Sequence, residues 1–554
     1  EKRDNENFLV KGTYFLSTKG LGSHNIVVGY DNFSSTRLSN NWQSGSSWLL
    51  FATGVKTDGT NLYPVIDGNS YLLYAPIPLQ SQGSDMLTHS LFVNDTWRLN
   101  DRLSFNIGLR YDKNDATDAA GKTTADDSAF SPRLAVNWDV FGDGKLRATA
   151  SYATYVGQIQ EGIAGSGATG AGSPASYYYY WDGDPINAGD GPWTPTDEVL
   201  RQMYTAFGVT GLNQFPNRPS DSASVPGVNL LIQDALSSPK VNEYVLGFGG
   251  TIGKNINYRA DIVRREYEDF YSTKRDMTTG QVTSELGDEF DLGYIVNSNV
   301  PEREYTGLHS SLAWRYGNLN LAANWTWSHM IGNFVGETSG SGPVTAAFES
   351  YPEYIDMKWN GPRGSLSQDQ RHRVRLVGTY DFRVGMVGIT PGIVQSWDTG
   401  TPYGAVGNIA SSPYVTNPGY VQPPSRVAYY FTKRDAYRTD DIWRTDLSVN
   451  LSANIGKFEV FIQPQIWNLF NADGVTTPNT AVNVGTSTTP NATTGLVRFD
   501  PFTSAPIECP QGALKGECTA MGANWQKGGN FGNPASAASF QIPRRYYVSM
   551  GIRF

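Results

Sequence analysis

The stretch "LSFNIGLRYD", residues 103–112, alternates between two kinds of side chain. One set is apolar and the other is mostly polar or small: Leu103, Phe105, Ile107, Leu109 and Tyr111 against Ser104, Asn106, Gly108, Arg110 and Asp112. Because successive side chains of a strand point to opposite faces, this period of two predicts a β-strand with one apolar and one polar face.

The same alternation recurs along the chain. It predicts about fifteen strands: 6–17, 23–34, 86–98, 103–113, 130–140, 145–156, 241–252, 255–271, 303–316, 319–330, 371–382, 385–399, 441–454, 457–470 and 543–554. Most of these strands are longer than a typical strand, which has about five or six residues. Their length fits a tilted crossing of a membrane.

The predicted connections are alternately short and long. The long ones are 35–85, 114–129, 157–240, 272–302, 331–370, 400–440 and 471–542. Aromatic residues lie near the strand ends, as in an interfacial girdle: Trp97, Tyr111, Trp325, Trp327, Tyr380, Trp467 and Phe470. These features predict an all-β, transmembrane antiparallel barrel of the outer-membrane type, with Leu103 to Leu109 of the apolar row facing lipid. The alternative is a soluble sandwich whose apolar row is buried between two sheets.

Composition narrows the function classes. The chain has 554 residues, of which 13% are aromatic and only 17% are charged. No run of about 18 apolar residues occurs, which argues against a transmembrane helix. The net charge of −9 argues against nucleic acid as the main partner. The start, "EKRDNENFLV", shows no signal peptide, so one has been removed or the chain begins downstream of it.

The reactive residue types give few candidate sites. Cys509 and Cys518 are nine positions apart in a polar segment, which favours one disulfide in an oxidising compartment. The five histidines are scattered without metal-ligand spacing, and no Ser/His/Asp set stands out. Neither a zinc site nor enzymatic activity is therefore expected.

The chain ends on "RRYYVSMGIRF", residues 544–554, another alternating strand. Its apolar row is Tyr546, Val548, Met550, Ile552 and the terminal Phe554. This strand resembles the C-terminal assembly signal of bacterial outer-membrane barrels, which implies the barrel assembly machinery as a partner. The alternative is an ordinary last strand of a soluble β protein.

Several stretches resemble the TonB-dependent receptor family, closest to its Oar-like branch. They are "FVNDTWRLNDRLSFNIGLRYD", "FSPRLAVNWDVFGDGKLRA", "SPKVNEYVLGFGG", "LSQDQRHRVRLVGTYDF", "TGTPYG", "IWNLFN" and the final "RRYYVSMGIRF". The resemblance runs from about residue 6 to residue 554. It implies a barrel of 22 strands around a plug domain, in contact with outer-membrane lipid and driven by an inner-membrane TonB energising complex. It also implies the cell outer membrane of a Gram-negative bacterium, with the long loops extracellular.

The sequence departs from this family near its start, where neither a plug nor an energy-coupling box is found. Counting back from the last strand, 6–17 has the direction of strand eight of a 22-strand barrel. Residues 1–554 are therefore expected to be the C-terminal part of the barrel, with the plug and roughly seven strands absent. Fifteen strands closing alone would need one parallel pair, which is rare in such barrels.

The longest loop contains "SYYYYWDGDPINAGDGPW", residues 176–193. Its exposed aromatics could stack on a sugar or grip a peptide, or they could pack the loop. The candidates for substrate contact are Tyr177, Tyr178, Tyr179, Tyr180, Trp181 and Trp193. A calcium ion could order Asp182, Asp184 and Asp190, although a solvated acidic turn also explains them. No other cofactor is expected.

A short helix is predicted after these aromatics, over 194–208. Thr194 is expected to cap it, Pro195 to begin it and Gly208 to end it. Its buried stripe would contain Val199, Leu200, Met203 and Phe207.

Arginines mark the polar face of the predicted wall. Arg371, Arg373 and Arg375 alternate along one strand and should face the barrel lumen, as should Arg110. Because they would repel one another, they need carboxylates from neighbouring strands or from the plug. The alternative is that they attract an anionic substrate.

Two functions remain open. The first is energy-coupled transport of a large or scarce substrate, such as a peptide, protein, oligosaccharide or chelate, through a plugged barrel. The second is a structural or adhesive surface barrel whose loops bind partners without transport. A plug and a coupling box upstream would favour the first.

Overall fold

The computed structural model shows an all-β protein. It describes residues 1–157, 159, 170–211, 216, 219–275, 280–284, 287–335, 349–414, 420–421 and 423–554. None of the helices in these residues has the length and apolar character needed to cross a membrane.

Fifteen long strands form one antiparallel sheet. They are β1 Lys2–Thr18, β2 Gly22–Leu38, β3 Ser84–Arg98, β4 Leu103–Thr117, β5 Thr123–Asp139, β6 Arg147–Val156, β7 Lys240–Ile252, β8 Ile256–Glu268, β9 Arg303–Tyr316, β10 Leu319–Gly332, β11 His372–Tyr380, β12 Val387–Asp398, β13 Ile442–Ile455, β14 Phe458–Trp467 and β15 Arg545–Arg553. Two short segments, Gly364–Ser365 and Phe382–Val384, complete this 17-stranded sheet. Each long strand pairs with its neighbours in the chain, and the predicted fold class is confirmed.

The two ends of the sheet are β1 and β15. Among the described residues, β1 pairs only with β2, and β15 pairs only with β14. In lipid, the free backbone groups of two such edges would be costly to leave without partners.

The pairing register separates two faces across the whole sheet. One continuous row of the polar face contains Ser104, Asn137, Thr149, Gly247, Asp261, His309, Thr326, Arg373 and Asp398. Arg110 lies six residues after Ser104 on β4, so it shares this face. On the other face Ile107 and Leu109 are 44% and 43% exposed, which rules out a core between two sheets at this position.

Charged and titratable groups interrupt the exposed apolar face, for example on β2 with β3 and on β8 with β9. His24 on β2 contacts Asp95 on β3, with 2.7 Å between Nδ1 and Oδ2. Asp95 lies directly opposite Ile107, so it belongs to the apolar face. Near the ends of β8 and β9, Arg264 pairs with Glu266 and Glu304. The row is therefore less purely apolar than the alternation predicts.

The predicted long connection 114–129 is wrong. β4 continues to Thr117 and β5 begins at Thr123, which leaves a connection of five residues. The segment has little apolar alternation, so its strands could not be recognised from the pattern. They are held by backbone pairing and by contacts such as the ion pair of Lys113 with Asp126.

β8 ends earlier than predicted. Asp269 has a φ of 59°, a left-handed conformation that interrupts an extended strand. The following residues, Phe270–Lys274, pair with Gly293–Ser298 in a separate three-stranded sheet. Residues 255–271 were predicted to form one strand, but the structure divides them between strand β8 of the wall and the connection that follows it.

The other end of each hairpin is closed by a short turn. Two of the two-residue turns are Gly317–Asn318 and Gly456–Lys457. Both glycines have positive φ, 57° and 64°, a conformation that side chains with a Cβ adopt at a cost. Tight turns of this kind fix the strand register locally.

The long connections contain their own secondary structure. Their strands are Trp48–Phe51, Gly54–Thr57, Leu62–Val65, Tyr71–Tyr74, Ser176–Tyr180, Ser222–Ser224, Leu230–Ile232, Phe270–Lys274, Gln281–Thr283, Glu289–Asp291, Gly293–Ser298, Pro402–Tyr403, Val406–Ala410, Arg426–Tyr430, Tyr437–Arg438, Val482–Val484, Glu508–Cys509 and Trp525–Lys527. Two α-helices are described, α1 Thr196–Ala206 and α2 Lys515–Ala520. Three 3₁₀ turns occur at Pro352–Tyr354, Ser412–Tyr414 and Ala537–Ser539. Together these elements form a layer over one end of the wall.

Candidate ligand-binding surfaces

Two long connections, 39–83 and 157–239, combine into one small unit. Its four-stranded sheet has the spatial order Ser222–Ser224, Ser176–Tyr180, Tyr71–Tyr74 and Trp48–Phe51. Helix α1 packs against one face of this sheet. We call the sheet and α1 together the aromatic cap.

The inner face of the aromatic cap contains three of the predicted substrate-contact residues. Tyr177, Tyr179 and Trp181 are only 2%, 0% and 9% exposed. They pack in one cluster with Val199, Met203 and Phe207, which confirms the helix stripe at these three positions. These three aromatics hold the cap together, as the packing interpretation of the loop predicted, and they are not accessible to a ligand.

The outer face of the cap carries an aromatic row formed by Phe51, Tyr71, Tyr178 and Tyr180. Cross-strand pairing places Tyr71 opposite both Phe51 and Tyr180. The Tyr71 ring centroid lies 4.7 Å from Phe51, 5.2 Å from Tyr180 and 5.4 Å from Tyr178. Phe51 and Tyr180 at its two sides are exposed.

The aromatic row has both apolar and hydrogen-bonding character. In the part of the chain that the structure describes, the hydroxyl groups of Tyr71, Tyr178 and Tyr180 have no hydrogen-bond partner. Burial raises the pKa of Tyr71, and the nearby Tyr178 and Tyr180 raise it further. A ligand on this face would meet ring carbons and three phenolic hydroxyl groups, with the carboxylate of Asp221 beside Tyr180, where its Oδ2 accepts the Tyr180 backbone N–H at 2.7 Å.

The acidic loop that follows is held by a lysine. Lys56 Nζ donates a hydrogen bond to the carbonyl oxygen of Gly189 at 2.5 Å and lies 5.5 Å from the Trp193 ring centroid. Trp193 Nε1 also donates to the Gly189 oxygen, at 3.0 Å. This ammonium group supplies positive charge next to Asp190, one of the three aspartates considered as calcium ligands.

The three aspartates of that loop, Asp182, Asp184 and Asp190, do not form a metal-binding group. Over the described residues, no three His, Cys, Asp or Glu side chains lie close enough together to hold a metal ion. These carboxylates are therefore close in sequence without forming such a group in the structure.

The start of α1 also differs from the prediction. Pro195 occupies the N-cap position, and no side chain caps the helix. Thr194, the predicted cap, instead donates its backbone N–H to Asn187 Oδ1 at 2.7 Å. Asn187 thus ties the acidic loop to the beginning of the helix.

On the polar face of the wall, the predicted arginines have carboxylate partners. Arg375 contacts Asp398 of β12 through two hydrogen bonds, of 2.9 Å and 2.7 Å. Arg373 Nε lies 3.4 Å from the same carboxylate. We expected these arginines to need carboxylates from neighbouring strands or from the plug. Asp398 of the neighbouring strand is such a carboxylate for both Arg373 and Arg375.

Arg371 precedes β11 and belongs to a different group. Its Nη2 lies 3.2 Å from Asp369 Oδ2, and Arg438 Nη2 lies 2.6 Å from the same oxygen. The Asp369 side chain is fully buried. Because Arg438 comes from the connection 399–441, Asp369 links two connections above the wall.

Arg110 lies in an open recess of about 400 Å³ on the polar face. Its Nε is 2.7 Å from Asp112 Oδ1, and its Nη2 is 2.6 Å from Ser90 Oγ. Arg133 lines the same recess and lies 5.5 Å from the Tyr155 ring centroid. The recess offers polar groups of both charges rather than a single anion site.

Three other connections interlock through Tyr351. Arg275 Nη1 donates to the Tyr351 hydroxyl at 2.7 Å, and that hydroxyl donates to Asp291 Oδ2 at 3.1 Å. Asp291 Oδ1 accepts from the backbone N–H of Val421 at 2.7 Å. Burial raises the pKa of Tyr351 to about 12, so this hydroxyl stays protonated and can keep donating.

Cys509 and Cys518 form the predicted disulfide bond. Both residues are buried in a small cluster with Leu496 and Ala523. The bond joins the strand Glu508–Cys509 to helix α2 within the connection 468–544. It therefore orders a part of the loop layer and not the wall.

The C-terminal row predicted as an assembly signal lies on β15. Its side chains are exposed on one face of the strand: Tyr546, Val548, Met550, Ile552 and the terminal Phe554. β15 pairs in register with β14, where Ile462 lies opposite Met550. The row thus continues the apolar face of the wall to the end of the chain.

Several residues of these surfaces were missed by the sequence interpretation. Phe51 and Tyr71 complete the aromatic row, Lys56 holds the acidic loop, and Asp369 and Asp398 pair with the arginines. The short apolar runs "YLLY" and "WLLF" were a usable signal for the first two. The other three are isolated polar residues, and each has at least one partner more than twenty positions away in sequence.

Comparisons with known proteins agree with this geometry. A family model described as "TonB dependent receptor-like, beta-barrel" matches residues 2–460. The TonB-dependent transporter Oar of Myxococcus xanthus is 22% identical over 590 residues, covering 98% of this chain and 50% of that protein. The outer membrane transporter YddB from Escherichia coli is 15% identical with a TM-score of 0.50, covering 86% of this chain and 52% of that one. This chain spans about half the length of the relatives it matches.

Proposed function

Because this chain belongs to the TonB-dependent receptor-like β-barrel family, we propose that it forms most of the wall of an energy-coupled outer-membrane transporter. The observation that carries the proposal is the family match over residues 2–460, together with the continuous polar face of the sheet. A barrel this large leaves a wide lumen, so it must be plugged to prevent leakage. The substrate is a large or scarce solute, such as a peptide, protein, oligosaccharide or chelate.

We propose that further polypeptide completes the barrel and supplies the plug. Support comes from the two sheet edges, β1 and β15, which have no mutual pairing in the described residues. The carboxylate-paired arginines, Arg110, Arg371, Arg373 and Arg375, offer hydrogen bonds to a plug surface. Residues 1–554 would then form the C-terminal part of the complete barrel.

The proposed orientation places the loop layer outside the cell of a Gram-negative bacterium. The turn end would face the inner-membrane TonB energising complex across the periplasm. β15, with its exposed row from Tyr546 to Phe554, would be recognised by the barrel assembly machinery. Proteinase added to intact cells should then cleave the connection 468–544 and spare the turn at Lys254.

The aromatic row is the proposed first contact for substrate. Its members Tyr178 and Tyr180 retain the role predicted for the tyrosine run, and Phe51 and Tyr71 join them. Trp193 is a further candidate, since it lies in the neighbouring loop. A surface of aromatic rings with three phenolic hydroxyl groups suits a hydrogen-bonding substrate with an apolar face.

The decisive experiment separates transport from simple binding. Uptake of three labelled probes, a peptide, an oligosaccharide and a ferric chelate, would be measured in cells with and without the inner-membrane energising complex. Energy coupling predicts that uptake of at least one probe disappears with the complex, while binding to the cell surface persists. Uptake that is unchanged would reject energy coupling and leave the adhesive or passive-channel function.

The aromatic row has its own test. Tyr178→Ala with Tyr180→Ala should weaken surface binding of the transported probe by roughly ten-fold or more, because two large contacts are removed. Phe470→Ala is the matched control, since Phe470 is 73% exposed but lies outside the aromatic cap. Equal binding by both variants would show that the row does not contact substrate.

A further inference from the structure

The turns that close the hairpins carry an excess of positive charge. Four exposed cations lie in four different turns, and we call them the cationic collar: Lys19, Arg102, Lys254 and Lys457. The chain as a whole has a net charge of −9, and its long connections carry most of the carboxylates. Charge is therefore distributed unequally between the two ends of the wall.

None of the four collar cations has a carboxylate partner among the described residues. The loop end contains cations of both kinds, some paired with carboxylates and some, such as Lys358 and Lys433, without a carboxylate partner in the described residues. Lys113 pairs with Asp126, Lys240 pairs with Asp269, and Arg363 pairs with Glu302. The collar charges thus remain free for a partner outside the chain.

The collar lies beside the last residues of the exposed apolar row, and single apolar residues such as Leu21 and Met386 are exposed in the turns themselves. Ile252 is 58% exposed and stands two residues before Lys254, and Ile455 is 62% exposed and stands two residues before Lys457. Near Lys19, the indole Nε1 of Trp97 donates to the carbonyl oxygen of Leu21 at 2.6 Å. Tryptophan takes this position where the hydrocarbon of a membrane meets the headgroups.

We propose that the cationic collar binds the phosphate groups of anionic phospholipids in the leaflet at the turn end of the barrel. Lysine and arginine at a membrane surface attract such lipids, and neutral zwitterionic lipids offer no matching net charge. The collar cations stand on the turns themselves, directly beside the lipid-facing row. This interaction concerns anchorage of the wall and holds whatever the barrel transports.

Three other free cations near the turns serve as an internal comparison. Arg98, Arg315 and Arg383 alternate with lipid-facing residues such as Trp97, Trp314 and Phe382, so they point toward the polar face. They line the inside of the barrel mouth, where lipid does not reach. An acidic polypeptide at the mouth would bind to these three cations, whereas anionic lipid would bind to the cationic collar.

The test measures lipid preference directly. The protein, purified at its native full length, is placed in phosphatidylcholine bilayers that contain a minor fraction of spin-labelled phosphatidylglycerol or spin-labelled phosphatidylcholine. The fraction of each label immobilised by the protein gives the preference for the anionic lipid. The collar variant is K19Q/R102Q/K254Q/K457Q, and heat-modified gel mobility reports whether each variant is folded.

We expect the wild type to prefer phosphatidylglycerol by roughly five-fold at the collar, and the collar variant to lose that preference. The control K358Q/R426Q/K433Q/K515Q removes four exposed cations of the long connections and should keep it. No preference in the wild type would overturn the proposal. An equal loss of the preference in the control would also overturn it. So would a loss of the preference in R98Q/R315Q/R383Q but not in the collar variant, because that result would indicate an acidic partner at the mouth. Loss of the preference in millimolar inorganic phosphate would assign the collar to free anions instead.

Discussion

The two ends of this barrel wall are built in different ways. At the turn end, neighbouring strands are joined by connections as short as Gly317–Asn318, and apolar residues remain exposed up to the turn. At the loop end, the connections contain helices, small sheets and buried clusters of their own. The comparison teaches that one end is determined by hairpin geometry at a membrane surface, whereas the other end folds much as a soluble protein does.

The two ends also differ in what stabilises them. The turn end relies on backbone pairing and on the lipid around it. The loop end has side-chain cores, such as Tyr179 with Phe207, and it has the disulfide Cys509–Cys518. Its ionic links, such as Asp369 with Arg438, join one connection to another. Mutations should therefore affect the two ends separately.

The largest effect is expected in the aromatic cap. Phe207 is 1% exposed, so Phe207→Ala should destabilise the cap by about 3–5 kcal/mol through lost burial and a cavity. Hydrogen exchange of the peptide containing Tyr177 should speed up accordingly, while exchange of the wall strands stays unchanged. Phe470→Ala, at an exposed aromatic, should change neither. Faster exchange throughout the wall would show that the two ends are not separate.

A charge on the lipid-facing row should affect the wall instead. Leu246 is 64% exposed on β7, with Ala150 and Ile262 opposite it, so Leu246→Arg should cost about 2–4 kcal/mol of unfolding free energy in vesicles. Ile107→Arg is a weaker test, because the new arginine would lie opposite Asp95 and pair with it.

The control for this charge is Asn106→Arg on the polar face. This substitution should lower the unfolding free energy only slightly, since Asn106 is exposed to the barrel interior. Denaturant titration in vesicles measures both variants. Equal costs at the two positions would mean that the two faces of the wall do not meet different solvents.

Removing the disulfide should have a smaller, local effect. In the variant Cys509→Ser with Cys518→Ser, the segment around α2 should lose about 2–3 kcal/mol of local stability, because a short closed loop is released. Limited proteolysis of the connection 468–544 measures this change. In the unreduced wild type, a maleimide should label neither cysteine. Labelling of both would contradict the bond.

The smallest effect concerns the hairpin Gly54–Thr57 with Leu62–Val65. A hydrogen bond from the Tyr63 hydroxyl, with backbone N–H groups of Asn61 and Thr60, lowers the pKa of Asp58. Because the folded-state pKa lies below the usual value of about 3.9, the charged Asp58 stabilises the hairpin fully above that pH. This contribution is lost as the pH falls through the lowered pKa.

Tyr63→Phe removes the largest cause of this shift. We expect the pKa of Asp58 to rise toward its ordinary value, which carbon-detected NMR titration of the carboxyl group can follow. Tyr414→Phe, in a different connection, is the control and should leave Asp58 unchanged. An unchanged pKa in Tyr63→Phe would assign the shift to the backbone donors alone.

The sequence alone determined the wall. Alternation with period two identified the fifteen strands, and the short turns between them determined which strands pair. These are local features, because each hairpin is specified by residues close together in the chain. The exceptions are equally informative. The polar ends of β4 and β5 were missed because they are held by backbone hydrogen bonds, which leave no apolar pattern.

Only the tertiary structure decided the loop layer. The tyrosine run has two alternating faces in sequence, yet nothing local says that Tyr177 and Tyr179 are covered and Tyr178 and Tyr180 are not. That choice depends on α1 and on the strand Tyr71–Tyr74, which lies more than a hundred residues earlier. Lys56 likewise reaches Gly189 across 133 positions. Contacts of this range follow from how whole connections pack together, and a period of two or of 3.6 residues carries no information about them.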